Sequence, residues 1–404
     1  MRKADAVRQC LNHESQKHNA SPVQESFTFD LQKVLSVPKL TTSEAYYCRQ
    51  LSVYNLGIHN LNSGEGLMHV WDETVASRGA EEISSCLLKY GGDRAAAGIE
   101  VINAYSDACG GQNRNFKVVL MWMYICLTTD IVEINHRFMV SGHSFLPNDA
   151  DFGVIERAAK KAEIYISDQW CDIIETCKRT NPFKVVRMQP DFFKSVSELA
   201  KAVTVRKTAE DGSKVEWMKI QWINIRKCEP LKMFFKYAVQ DDIPFTCVSF
   251  KKKAREQTQF NGPLKQLHEQ QPRRLSQEKV RDVNKLLKYL PLVYHSWYSK
   301  LEANTVHTAV HMCEDELLGQ SDTETVGAEQ EVTAVTLEEL QQSFPQEEFH
   351  AESSATYCRL QPKRKCRDWI SLCGMMDTDM RTVSVTRLST VTIPYVLHCK
   401  CTSS

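Results

Sequence analysis

Three stretches, "FTFDLQ", "AYSDACGGQNRN" and "LPNDADF", carry the residue types that a divalent-cation phosphodiester site uses. They place carboxylates at Asp30, at Asp107, and at Asp149 and Asp151. Hard cations such as Mg2+ and Mn2+ are held mainly by carboxylate oxygens. Two of them roughly 3.5 to 4 Å apart activate the attacking oxygen and stabilise the leaving oxygen of a phosphodiester. A lone aspartate at a strand end is more often a turn former, so the signal is the joint placement of the acids. Beside Asp107, Gly110 and Gly111 leave backbone bare where a phosphate chain would approach. Gln112, Asn113 and Asn115 offer donors to phosphate or sugar. The plainer reading is a Gly-rich turn joining strand to helix. "ACGGQNRN" lacks the Lys-Ser/Thr of a phosphate-binding loop and the G-x-G-x-x-G of a dinucleotide loop.

Other side chains stand near these stretches. His143 in "SGHSFLP" is either a phosphate or metal-water contact or a turn histidine bonded to backbone. His69, Asp72 and Glu73 read as supports of a sheet edge or helix start, with Arg78 as a phosphate contact. Glu156 follows Asp151 by five residues, about 500° of helical turn, so the two cannot serve one metal, and Glu156 and Asp149 are alternates for the third acid. The cysteines at 358, 366, 373, 399 and 401 lack the tight pairs of a zinc site.

The elements that must position these residues follow from periodicity and punctuation. "SFTFDL", "YCRQLSVYNLGIHNL" and "GLMHVWDE" read as three strands, then "SRGAEEISSCLLKY" as a helix with Ser77 as its cap and "GGD" as its stop. "IEVINAYSD" is a strand, "NRNFKVVLMWMYICL" a helix, "IVEINHRFMVSGH" a strand and "LPNDADFGVIERAAKKAEIYI" a helix with Pro147 near its start. The order βββαβαβα predicts an α/β fold of the ribonuclease H type, a mixed sheet with helices on both faces. In that fold the ends of the first and fourth strands and the start of the last helix converge, which are the places of Asp30, Asp107 and Asp149 or Asp151. Further on, "EWMKIQWINIRK" and "EPLKMFFKYAV" alternate aromatic and basic residues, as a half-exposed sheet or a strand lying on nucleic acid would. "LSQEKVRDVNKLLKYLPLVYHSWYSKL" predicts a closing amphipathic helix.

"FTFDLQKVLSVP", "HVWDETVASRGAEEISSCL", "YSDACGGQNRNF", "GHSFLPNDADFGVIE", "EPLKMFFKYAV" and "LLKYLPLVYHSWYSKL" together resemble a transposase-derived domain of unknown function found in arthropods, cnidarians, fishes and plants. The resemblance spans roughly residues 25 to 301. It implies a DDE-type core that cuts and joins DNA with Mg2+ or Mn2+, with Asp30 and Asp107 as the first two acids. It points to Asp151, just before Phe152, as the third.

Composition bounds the rest. The 404 residues carry no net formal charge, but residues 301 to 358 hold 13 acids and no Lys or Arg. Residues 1 to 300 hold 42 Lys or Arg against 34 Asp or Glu, a net of +8. A basic folded part suits DNA, and an acidic segment suits protein partners. The expected division is a lead-in at 1–24, a catalytic-type core at 25–170, a C-terminal α+β extension at 171–302, a disordered acidic tail at 303–357 and a Cys/basic segment at 358–404. The "KRKCR" cluster in the last reads as a nuclear address or a solvated patch. Fifteen irregularly spaced cysteines and no apolar leader predict an intracellular, nuclear or cytoplasmic protein with reduced thiols. No run is long enough for a membrane span. A homo-oligomer is compatible with all of this, as is a chain that keeps the fold and has lost its chemistry.

Overall fold

A computed structural model describes residues 23–139, 146–252, 260–268 and 272–301. They lie within one compact unit, Met1–Thr325; a second, Val326–Ser404, is outside the described residues. The lead-in up to residue 22, His143, the acidic tail and the Cys/basic segment with its zinc candidates also fall outside them.

Ten strands form one mixed sheet. They are β1 (Gln24–Leu31), β2 (Leu35–Val37), β3 (Leu51–Asn60), β4 (Gly66–Asp72), β5 (Val101–Ser106), β6 (Glu133–Phe138), β7 (Lys184–Arg187), β8 (Trp222–Arg226), β9 (Lys232–Lys236) and β10 (Thr246–Ser249). The spatial order is β10-β9-β8-β6-β5-β1-β3-β4-β7, with β2 paired to β3. β3 runs antiparallel to β1 and to β4, while β5 runs parallel to β1 and to β6. Strands of the expected extension continue this same sheet at both ends: β7 beside β4, and β8 to β10 outward from β6.

The helices are α1 (Ser43–Tyr47), α2 (Ala80–Ala96), α3 (Phe116–Thr128), α4 (Pro147–Ala159), α5 (Ser167–Thr176), α6 (Ser197–Ala202), α7 (Gln277–Leu286) and α8 (His295–Tyr298). On one face of the sheet, Ile83 and Leu87 of α2 and Trp122 of α3 pack with Phe27, Phe29, Leu56, Ile102 and Ile134. On the other, Phe152 and Ile155 of α4 and Trp170 and Ile174 of α5 pack with Val53, Met68 and Val70. α3 is apolar nearly all round, as a helix enclosed by sheet and neighbours must be. No helix of the described residues is long and apolar enough to cross a membrane, and their cysteines are free thiols.

Three helix boundaries differ from expectation, and the first is α4, which stops at Ala159 where a run through "KKAEIYI" is expected. α2 continues through "GGD" to Ala96, because Gly91 sits against Ile125 of α3, where a Cβ would already meet the side chain at 3.2 Å. Packing therefore offsets the roughly 1 kcal/mol propensity penalty of a helical glycine. Its N-terminus is capped from inside the helix, with the Glu82 carboxylate accepting from Gly79 N at 2.8 Å and from Ser77 N at 3.1 Å. The expected closing helix is broken into α7, two 3-10 turns (Leu287–Tyr289 and Leu292–Tyr294) and α8, and Pro291 bars an unbroken run.

Candidate active site

Strand register brings the first two acids together. Thr28 of β1 pairs with Tyr105 of β5, and Asp30 and Asp107 each lie two residues further along these parallel strands. With a side-chain period of two, they emerge on the same face at neighbouring strand ends. α4 lies on that face above β3. Its Asn148 side chain donates to the Gly57 carbonyl at 2.9 Å, and Gly57 is the cross-strand partner of Asp30. A Cβ at Gly57 would stand 2.8 Å from the Phe152 ring, so only glycine lets the helix dock at this height. Gly57→Val should cost about 1 to 3 kcal/mol through overpacking. Urea unfolding would read that loss, and an unchanged midpoint would show that α4 does not depend on this contact.

The third acid is where the structure departs from the reading of the motif. Asp149 and Asp151 diverge by about 200° around α4. Asp149 sits in the first turn, accepting from Leu146 N at 3.0 Å, and its charge acts on Asp30. Asp151 is buried on the other side, 2.6 Å from His59 Nδ1 and 3.9 Å from Lys178 Nζ. It is thus committed to an ion-pair cluster, and the exposed Asp149 is the acid of α4 whose charge reaches Asp30. Glu156 is exposed further along the helix.

The electrostatics of the group centre on Asp30. Its carboxyl is pushed up to about 7, first by burial, then by the Asp107 charge, with Asp149 adding to the effect; the Leu31 N–H, 2.8 Å from Oδ1, opposes it. The Asp107 and Asp149 charges both act on Asp30, while the Arg114 guanidinium feels the charge of Asp107. Asp107 itself is held firmly. Its Oδ1 accepts from Asn113 Nδ2 at 2.5 Å and from Cys109 N at 3.2 Å. Its carbonyl accepts from the Ser106 hydroxyl at 2.8 Å. Ser106 Oγ lies 2.9 Å from His136 Nε2, and the Trp122 indole donates to His136 Nδ1 at 3.2 Å. Burial holds His136 down at about 3, so the ring is neutral. With Nδ1 accepting, its one proton is on Nε2 and points to Ser106.

The neighbouring residues divide by role. Asn113 braces Asp107 through Nδ2 while its buried Oδ1 has no partner, and Asn115 caps α3 by accepting from Lys117 N at 2.9 Å and donates to the Gly110 carbonyl at 3.3 Å. A side chain at Gly111 would meet nothing within 4 Å, and one at Gly110 only Met218, which leaves open space above the turn; Gln112 is half-buried. Arg78 is exposed before α2, where its charge reaches Tyr54. Asp72, Glu73 and His69 support the fold: Asp72 accepts from Thr74 N, Glu73 from Ser52 N and from Lys279, and His69 is buried and neutral. Arg114 is a residue that motif reading missed. Its guanidinium lies over Phe138, donates to the Met218 carbonyl, and feels the Asp107 charge.

Comparison with protein-family models, with curated proteins and with solved structures gives no match. Geometry and donor chemistry therefore carry the assignment. Carboxylates suit a hard divalent cation, and a carboxyl raised by burial and by a neighbouring charge is one that a cation would return to its anion. Among the described residues no three His, Cys, Asp or Glu side chains already stand as a metal-holding group. The acids are a charge cluster rather than a preformed cage.

Proposed function

We propose that the protein is a transposase-derived, ribonuclease H-like DDE enzyme whose acids Asp30, Asp107 and Asp149 hold Mg2+ or Mn2+ and act on DNA phosphodiesters. The sheet supports this reading: β4-β3-β1-β5-β6, with β3 antiparallel and β5 parallel to β1, matches the connectivity expected of that fold. The observation that carries it is the strand register that sets Asp30 and Asp107 on one face at neighbouring strand ends, where burial first and the Asp107 charge second raise the Asp30 carboxyl to about 7.

Asp30, Asp107 and Asp149 would hold the divalent cations, which would supply activation of an attacking oxygen and charge stabilisation of a leaving one. The chain's own residues do the rest. Trp122, His136 and Ser106 fix the Asp107 backbone, and Asn113 fixes its carboxylate. The turn at Gly111 leaves room for a sugar-phosphate chain, and Arg114 stands beside Asp107 to meet phosphate charge.

A second reading is a nucleic-acid-binding or protein-interaction module that keeps the fold without catalysis. Incubating the purified chain with end-labelled DNA in Mn2+, Mg2+ or EDTA separates the two. Cleavage in either metal that EDTA abolishes is the expected result. Binding without cleavage in any metal would establish the second reading.

A further inference from the structure

The face that carries Asp30 and Asp107 continues across the sheet as one register row. Thr28 pairs with Tyr105, Tyr105 with Arg137, Arg137 with Trp222, and Trp222 with Lys236. Paired residues project from the same face, so Arg137, Trp222 and Lys236 share the face of the acids, one row back along the strands. Arg137 is one strand over and two residues back from Asp107, about 8 Å between backbones from ordinary sheet spacings.

This row holds two buried cations. Arg137 and Lys236 are each 4% exposed, and neither forms an ion pair among the described residues. The Arg137 guanidinium lies 3.7 Å from the Trp222 ring centre and 5.4 Å from that of Tyr105. Its Nη1 donates to the Tyr105 hydroxyl at 3.2 Å and to Asn103 Oδ1 at 3.4 Å, while its buried Nε has no partner. Lys236 sits between the Trp222 and Phe245 rings, at 4.4 and 4.3 Å, and donates to the carbonyls of Gln240 and Asp241. The two charges repel, and the Lys236 ammonium is pushed down by burial first and by Arg137 as well, with Asp241 and Asp242 opposing through the field. Buried charges are normally paired; here aromatic faces and neutral oxygens stand where a counter-anion would.

We infer that Arg137, backed by Lys236 across Trp222, is a phosphate site, taking a phosphate of the DNA strand next to the one at the acids. This rests on reading the acids as a site for nucleic acid. Trp222 is occupied by cations and Phe245, so the site reads charge and not a base. A guanidinium with no carboxylate partner suits phosphate oxygens, and the buried Arg137 Nε shows that its protein surroundings leave it short of acceptors.

The test is DNA binding in EDTA, which removes any contribution of metal. The affinity of a labelled duplex is measured against salt for the wild-type chain and for Arg137→Gln, with near-ultraviolet circular dichroism to confirm folding. Expected is a loss of about tenfold to a hundredfold, with the log–log salt slope shallower by about 0.9, the signature of one lost phosphate contact. Unchanged affinity and slope in folded Arg137→Gln overturn the inference. Should that variant not fold, Lys236→Met decides in the same way: a shallower slope supports the site and an unchanged slope overturns it. Inorganic phosphate forms a separate arm. If it stabilises the wild-type chain and not the variant while DNA binding is unaffected, the pocket holds a free anion and the strand assignment fails. Metal-dependent cleavage is read independently, so it can stand while this inference falls.

Discussion

Asp107→Asn is expected to reduce metal-dependent DNA cleavage by about a thousandfold or more, since the charge stabilisation at stake is several kcal/mol and each 1.4 kcal/mol is tenfold. The substitution is clean at this position. The Asn113 and Cys109 donors both bond Oδ1, which the amide retains, and Ser106 bonds the backbone carbonyl. Folding and the turn at Gly110 and Gly111 should therefore survive while a ligand charge is lost. Single-turnover cleavage of labelled DNA reads the effect, with Asp151→Asn as the contrast. That variant disturbs the His59 pair and should cost stability more than chemistry. Equal cleavage by wild type and Asp107→Asn would remove Asp107 from the centre, and a greater loss in Asp151→Asn would restore Asp151 as the third acid.

Asp30→Asn should make the metal-free protein more stable at alkaline pH. The folded carboxyl titrates at about 7 against an ordinary 3.8, so the folded state binds its proton more tightly than the unfolded one. Stability is then greatest below about pH 4 and falls as pH rises through 7, beyond which the penalty is complete. At about 1.4 kcal/mol per pH unit, the full penalty is about 4 kcal/mol, and about 2 to 4 allowing for partial exposure of the side chain. Asn removes it and keeps the Leu31 bond through its own Oδ1. Urea unfolding in EDTA should show the variant ahead by that amount at pH 8 and nearly level at pH 4. Saturating Mn2+ should then close the gap at pH 8 by stabilising the wild-type chain alone. A gap of equal size at both pH values would mean that Asp30 is not held against its neighbours' charges.

Much of the fold was legible because its periodicities are local. Phe27 and Phe29 alternate with Thr28 and Asp30, and the all-apolar "VVLMWMYICL" between polar ends admits only a buried helix. The third acid was not, since an aspartate before an aromatic says nothing about which side of α4 faces Asp30, and two residues turn the direction by about 200°. Gly57 did leave a trace, as a glycine inside a strand marks a close approach, yet what approaches it comes from residue 152. The "GGD" stop failed for a related reason: Ile125, more than thirty residues on, decides that α2 continues. Arg137, Trp222 and Lys236 are separated by long stretches of chain, and only strand register aligns them.

That register also bears on how separable the candidate centre is. The strands that carry or flank the acids, β4-β3-β1-β5-β6, are sealed by pieces made late in synthesis: β7 hydrogen-bonds along β4, and β8 along β6. A chain cut back to Thr176 would keep every acid and lose both seals, leaving two unpaired strand edges, β4 and β6, ready to pair with another copy. The residues after 176 thus cover both edges of the strands that carry the candidate site, and trimming to the motif-bearing half would leave that site on a sheet prone to self-association.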